Sequence, residues 1–205
     1  MAQASYTLQG KIALVSGSAM GIGAATCVEL ASRGARVIVN YPWPCQKNEA
    51  EVVLHKIRQS KGPLAADAFA VEADLSTLEG PPKLVQEAVA KTGGRIDILI
   101  NNAGIAIMEP LENITSEQWD KQVNLNGRGL MLLTQAALPY LSQNSRITAG
   151  KEFLDKIQPM LDVTPMGSRM AEPEEIAFAI AFFCEPKAQW ITGVCMGVNG
   201  GFLMS

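Results

Sequence analysis

The chain has 205 residues, 48% of them hydrophobic and 18% charged, with a formal net charge of −3. That length and balance suit one compact domain with a real core and argue against disorder. The slight acidity leaves no basic field to attract nucleic acid or an anionic membrane.

Four widely spaced cysteines, Cys27, Cys45, Cys184 and Cys195, form no C-x-x-C pair and no Cys/His cluster. This speaks against structural zinc and a disulfide framework, and for a reducing compartment. The opening MAQASYTLQGK carries no apolar signal-like core. No apolar run reaches the roughly 18 residues of a membrane helix. The expectation is a cytoplasmic, single-domain protein spanning 1–205 with no metal, nucleic-acid or membrane partner.

The chain then alternates. Residues 11–16 are a short apolar run and read as a buried strand. Residues 21–33 carry helical spacing (Ile22, Cys27, Leu30, Ala31). A second strand, 36–40, ends at the breaker Tyr41-Pro42-Trp43-Pro44. A helix follows over 49–60, with Val52, Val53 and Ile57 as its apolar positions. A third strand covers 68–71, a helix 84–90 follows the Gly80-Pro81-Pro82 turn, and a fourth strand covers 96–100. Strands apolar on both faces and separated by helices predict a doubly wound α/β parallel sheet. Ligands of such sheets bind at the carboxyl ends of the strands.

Two motifs fall at those ends. Ser16-Gly17-Ser18-Ala19-Met20-Gly21-Ile22-Gly23 joins the first strand to the first helix. Its glycines permit a tight turn and close approach of backbone to a pyrophosphate, and the helix N-terminus offers N–H groups and a positive dipole end. The bland alternative is a glycine-rich turn without ligand. Asn101-Asn102-Ala103-Gly104 follows the fourth strand directly.

Taken in order, Gly17-x3-Gly21-Ile22-Gly23, Asp74-Leu75, Asn101-Asn102-Ala103-Gly104 and Val123-Asn124-Leu125 resemble the short-chain dehydrogenase/reductase family. The later stretches Thr164-Pro165 with Arg169, Pro173-Glu174-Glu175-Ile176-Ala177, Ile191-Thr192-Gly193 and Val198-Asn199-Gly200-Gly201 resemble it too. Ser16 stands where the family usually has threonine. The resemblance implies hydride transfer between a nicotinamide cofactor and a carbonyl or alcohol carbon of a small molecule, in a homo-oligomer (dimer or tetramer). It implies that Asp74, with Leu75, meets the adenine, and that Asn102, Ala103 and Gly104 line the cofactor. Asp74 also reads as a turn or cap residue before Ser76. At the end of the second strand no carboxylate stands at 40–44, and Asn40-Tyr41 resembles the fungal naphthol-reductase branch, which meets a 2′-phosphate there. This favours NADP(H) over NAD(H), although Met20 occupies a position where that branch often has arginine.

The family's proton relay is a serine, an asparagine and a tyrosine with lysine four residues on. The tyrosines here are Tyr6, Tyr41 and Tyr140, followed at that spacing by Gly10, Cys45 and Asn144. Only the asparagine survives, read as Asn124, with helix bracing as its plainer role. Ser145-Arg146-Ile147 resembles the start of the family's fifth strand, and Thr148 onward resembles the segment after its sixth. The expectation is a junction near 147–148 at which about sixty to seventy residues are absent, enough for a strand–helix–strand unit. The truncated sheet would keep a short fifth strand near 146–148. The last strand, near 194–198, would move inward to pair with it or leave an edge open, and the apolar helix stretch 177–183 would be partly uncovered. Three functions follow from the resemblance: an oxidoreductase of weak or absent turnover, a silent NADP(H)-binding protein or splice or gene-model variant that pairs with a full-length relative, and a non-redox catalyst reusing the pocket. Tyr140 reads as core or surface packing and His55 as part of a solvated helix face.

Overall fold

The computed structural model describes residues 6–149 and 169–199. Five parallel strands run in the order β3-β2-β1-β4-β5. They are β1 (Ile12–Val15), β2 (Arg36–Tyr41), β3 (Phe69–Glu72), β4 (Ile96–Asn101) and β5 (Leu141–Ala149). The helices are α1 (Gly21–Ser32), α2 (Lys47–Gln59), α3 (Gly80–Thr92), α4 (Ser116–Val123), α5 (Leu130–Ala137) and α6 (Pro173–Cys184).

The alternation of the strands explains the layers. Along β1, Ala13 and Val15 turn to one core, with Val37, Val39, Ile98, Leu30 and Ile57. Ile12 and Leu14 turn to the other, with Ile38, Leu99, Leu84 and Leu133. Both faces of the central strands are therefore apolar, as a doubly covered parallel sheet requires.

Local chemistry sets the helix ends. Two prolines open α3, and Gly93 closes it in the left-handed region at φ 73°. Thr115 and Gln118 cap α4 reciprocally, and Glu172 and Glu175 do the same for α6. Buried Asp97 ties three strands: it accepts from the Ile12 N–H at 2.9 Å and from Ser142 Oγ at 3.0 Å, and pairs with Arg95 Nε at 3.0 Å.

Two expectations change, and a third, the partly uncovered 177–183 stretch, is met. The fifth strand is nine residues long, not a stub at 146–148. It pairs with β4 from Ile96↔Leu141 to Asn101↔Ala149, with a register irregularity between Ile96 and Ile98. Ser142 bonds to Asp97 at the irregularity, so β5 pairs with β4 on both sides of it. No strand forms at 194–198, where Val194, Met196 and Val198 are exposed, and β5 is the outer strand among the described residues. The 177–183 stretch is half covered. Ala177, Ile180, Ala181 and Cys184 are buried, while Phe178 and Phe182 are exposed. Arg33 lies over the Phe178 ring at 5.3 Å and also pairs with Glu185 at 2.6 Å, linking α1 to the end of α6. Residues 150–168 and 200–205, which include the Thr164-Pro165 and Gly200-Gly201 motifs, lie outside the described residues.

Candidate functional site: a nucleotide cleft at the carboxyl ends of the strands

The strand order reverses between β1 and β4, and there the chain opens a cleft of about 570 Å³. That volume suits a small-molecule or cofactor site. Its wall is built from the segments leaving β1, β2, β3 and β4, joined by Lys121, Asn124 and Leu125 from the long helical stretch that contains α4 and α5.

The floor is a suture between the glycine loop and the end of β4. Ser16 Oγ accepts from the N–H groups of Asn102 (2.9 Å) and Ala103 (3.0 Å), and donates to the Ile100 carbonyl at 3.2 Å. Asn102 Nδ2 donates to the carbonyls of Ser16 and Gly17, both at 3.0 Å. Side chains thus make the contacts that hold two loops together where backbone pairing has ended. Two glycines are required by this closeness. Gly17 has φ +58°, and a Cβ there would sit 2.7 Å from the Ala103 Cα; a Cβ on Gly23 would sit 2.7 Å from the Gly17 carbonyl oxygen and 2.5 Å from Asn102 Nδ2.

No side chain caps α1, and no carboxylate stands in its first turn. Its first N–H groups and dipole therefore suit an anion. An uncapped helix start beside a glycine loop packed this closely suits a dinucleotide's pyrophosphate.

Of the residues singled out from sequence, Gly17, Met20, Asn40, Asp74, Leu75, Asn102, Ala103, Gly104 and Asn124 line the cleft. Ser18, Gly21, Ile22, Gly23 and Tyr41 are not among the lining residues. Ser18 is fully buried, donating to the Val15 carbonyl at 2.7 Å and accepting from the Asn40 N–H at 2.9 Å. Tyr41 is buried, and burial, then the carboxylates of Glu72, Glu51 and Glu87, push its phenol above the ordinary value. It is a wall behind the site.

Asn40 lines the cleft but is held from within the protein. Its carboxamide is committed to the protein: Oδ1 accepts from the Gly17 N–H at 2.9 Å, and Nδ2 donates to the Ala73 carbonyl at 3.0 Å. It shapes the loop and has no free donor for a 2′-phosphate. Asp74 fulfils its plainer role as a turn residue, its Oδ1 accepting from Ser76 N–H (2.9 Å) and Ser76 Oγ (2.7 Å).

The bracing expected of Asn124 belongs to Asn126. Asn126 Oδ1 accepts from the Ile105 N–H at 2.9 Å and Nδ2 donates to the Ile105 carbonyl at 2.7 Å. Gln122, one turn earlier, accepts from the Ile107 N–H at 2.9 Å. Together they clamp the loop that leaves β4. Residues Asn124–Gly129 form a π-helical segment, a feature frequent at functional sites.

Sequence reasoning also missed Trp43, Gln46 and Lys121 as lining residues. The available signal was Trp43 itself, a large aromatic between two prolines on the ligand side of the sheet. Lys121 and Asp74 are the charged residues of the wall among those described. His55 is exposed and is hydrogen-bonded to Gln59 at 2.9 Å. Tyr140 packs at the edge of the second core. Among the described residues no helix is long and apolar enough to cross a membrane, and no group of three His, Cys, Asp or Glu could hold a metal ion.

A doubly wound sheet with a glycine cradle, an uncapped helix start and an adjoining cleft defines a nucleotide-binding α/β protein. The family is settled by comparison. The short chain dehydrogenase profile matches residues 11–148, and the chain belongs to that family. Its relatives include fungal reductases. Short-chain dehydrogenase/reductase FrzI of Cladobotryum is 30% identical, with 96% of this chain and 97% of the relative covered. Elsinochrome reductase 1 of Elsinoe fawcettii is 39% identical over 68% of this chain. The matched part is 50% of that reductase, so the chain spans about half the length of this relative. Among solved structures, the NADH-dependent reductase A1-R′ of alginate metabolism is 27% identical with a TM-score of 0.83, covering 98% of this chain and 100% of its own. A metagenomic blue fluorescent protein in complex with NADPH has a TM-score of 0.86 at 23% identity, with 97% and 100% covered, and shares the fold.

Proposed function

We propose that this chain binds a nicotinamide adenine dinucleotide, NADP(H) in preference to NAD(H), and turns over carbonyl or alcohol substrates very weakly or not at all. One observation carries the reading. The cofactor side of the cleft is built, while none of the three tyrosines has a lysine four residues on. Tyr41 is buried with its phenol pushed up, and Tyr6 and Tyr140 are absent from the cleft wall. Loss of a positioned acid alone typically lowers a rate by about 10² to 10⁴.

Two lengths support a single domain from which a unit is left out near 147–148. The family profile stops at 148. The alignment with FrzI runs over 258 positions, whereas 96% of a 205-residue chain is about 197 residues, so about 60 positions of the relative face nothing here. That is room for a strand–helix–strand unit.

The residues that would hold the dinucleotide are Gly17, Met20 and the first N–H groups of α1 at the pyrophosphate. Asp74 and Leu75 would serve at the adenine end, and Asn102, Ala103 and Gly104 beside the ribose. When bound, the dinucleotide supplies the hydride; this chain's part is to hold and orient it. The preference for NADP(H) rests on the absence of any carboxylate from 40–46, which would otherwise repel a 2′-phosphate. The four cysteines are free thiols, in keeping with a cytoplasmic setting. Homo-oligomerisation would cover Phe178 and Phe182.

The second reading is a silent binder that pairs with a full-length relative. Both are tested by titrating the chain with NADPH while following thermal unfolding, then assaying NADPH oxidation with a panel of ketones and quinones. At a hundredfold excess over Kd, binding stabilises by about 2.7 kcal/mol and raises Tm by about 5–10 °C. No shift would sink the binding proposal. Oxidation at ordinary family rates would sink the proposed silence.

A further inference from the structure

Trp43 is 52% exposed, yet its position is fixed. Pro42 and Pro44 flank it and restrict the backbone on both sides. Its own backbone is extended, at φ −137° and ψ 155°, where it starts the short 3₁₀ turn Pro44–Gln46. The indole N–H donates to Asp74 Oδ2 at 3.2 Å. Asp74 is itself immobilised, because its other oxygen accepts twice from Ser76. The loop after β2 is thereby tied to the loop after β3, and both residues line the cleft, as do Pro42 and Leu75.

A tryptophan body left half open at a cleft mouth, with its polar tip already bonded, is poised to stack. The ring retains open area suited to a planar partner, and the tether spends the rotamer entropy before a ligand arrives. Nearby wall residues Pro42, Ala73 and Leu75 offer no charge to read a phosphate, and the end of β2 has neither cation nor carboxylate. Resting on the reading that the cleft takes a nicotinamide adenine dinucleotide, we propose that Trp43 is the stacking platform for its adenine ring, and that Asp74 acts on Trp43 as a positioning residue. The affinity of this chain for the adenosine half then derives largely from an aromatic face, a feature common to NAD(H) and NADP(H).

The test uses ADP, which carries adenine without nicotinamide, and reduced nicotinamide mononucleotide, which carries the reverse. Wild type, Trp43→Phe, Trp43→Ala and Trp119→Phe are titrated by calorimetry and by tryptophan emission. Trp43→Ala is expected to weaken ADP and NADPH by about 10- to 100-fold, and Trp43→Phe to stay within about threefold of wild type. The mononucleotide should bind all variants alike. ADP should quench emission in wild type and in Trp119→Phe but not in Trp43→Phe, a signature that a purely structural tryptophan would not give. Trp43→Ala binding ADP as wild type does, or a quench that survives in Trp43→Phe, overturns the platform while leaving the cofactor reading intact. Wild type that binds neither ADP nor NADPH overturns both.

Discussion

Asn40→Asp gives the sharpest check on how the glycine loop is held. Asn40 is 1% exposed. Its Nδ2 points at carbonyls alone: Ala73 at 3.0 Å, and Val71 and Tyr41 at 3.4 Å each. The substitution keeps the acceptor for the Gly17 N–H but turns the donor into an oxygen facing those carbonyls. A buried partner left unpaired costs about 1–3 kcal/mol, and an uncompensated buried charge raises the total to about 3–5 kcal/mol at pH 7. Against a typical stability of about 5–15 kcal/mol that is about a fifth or more. The new carboxyl relieves the conflict by binding a proton, so its pKa in the folded state rises above its unfolded value. The penalty is therefore full above the raised folded pKa and fades as pH falls toward the unfolded value near 4. Urea unfolding followed by circular dichroism at pH 7 and pH 5 should show wild type and variant converging in acid. Asn40→Ala should show a gap that does not close. If Asn40→Asp is as stable as wild type at pH 7 and gains affinity for NADH, the carboxamide faces the ligand and the loop is held some other way.

Gly23→Ala tests the cradle from the other side. Alanine normally favours a helix over glycine by about 1 kcal/mol, but overpacking against the Gly17 carbonyl and Asn102 costs about 1–3 kcal/mol and should dominate. Calorimetry should show NADPH affinity at least about tenfold weaker, since a 1.4 kcal/mol displacement of the loop is that factor; unchanged affinity would contradict the cradle. Glu175 gives a pH test of the α6 start. The Arg169 guanidinium first, then the Glu172 backbone N–H, lowers its carboxyl from 4.5 to about 2. A carboxyl lowered in the folded state contributes stability above 4.5 that is lost as pH falls toward about 2. Glu175→Gln should therefore lower Tm at pH 7, and the gap should narrow below pH 4.5 and close only near about pH 2, where the folded-state glutamate itself takes up a proton.

The central strands were legible because both of their faces are buried. Runs such as Ile96-Asp97-Ile98-Leu99-Ile100 admit little else between turn residues. The glycine loop was legible because its conformation is a backbone property that residue type reports directly. The direction of polar side chains was not. Asn40 looks inward because the Gly17 N–H and Ala73 carbonyl need partners there, and neither neighbour is close in sequence. Asn126, which the sequence reading did not single out, was missed for a related reason. Residues two apart on a helix face nearly opposite ways, so only one could reach Ile105. The π-helical turn then shifts the phase of everything that follows, which a 3.6-residue periodicity does not anticipate. Trp43 was read as part of a chain breaker. Its use depends on Asp74, 31 residues away.

These placements separate binding from chemistry. The cleft is assembled from the loops leaving β1 to β4, near the middle of the sheet, and sutured by Ser16, Asn40, Asn102 and Asn126. β5 contributes none of its lining. Pairing with β4 and the Ser142–Asp97 bond still satisfy β5 on its inner side, and no strand pairs its outer side among the described residues. A unit left out beyond β5 would therefore expose an edge and remove whatever that unit positioned over the cleft, without cutting any contact that shapes the glycine loop. On the proposed function, the open edge would carry the stability cost and the lack of a tyrosine–lysine pair the catalytic one. The dinucleotide cradle depends on neither, which is why binding and turnover in this chain should be measured separately.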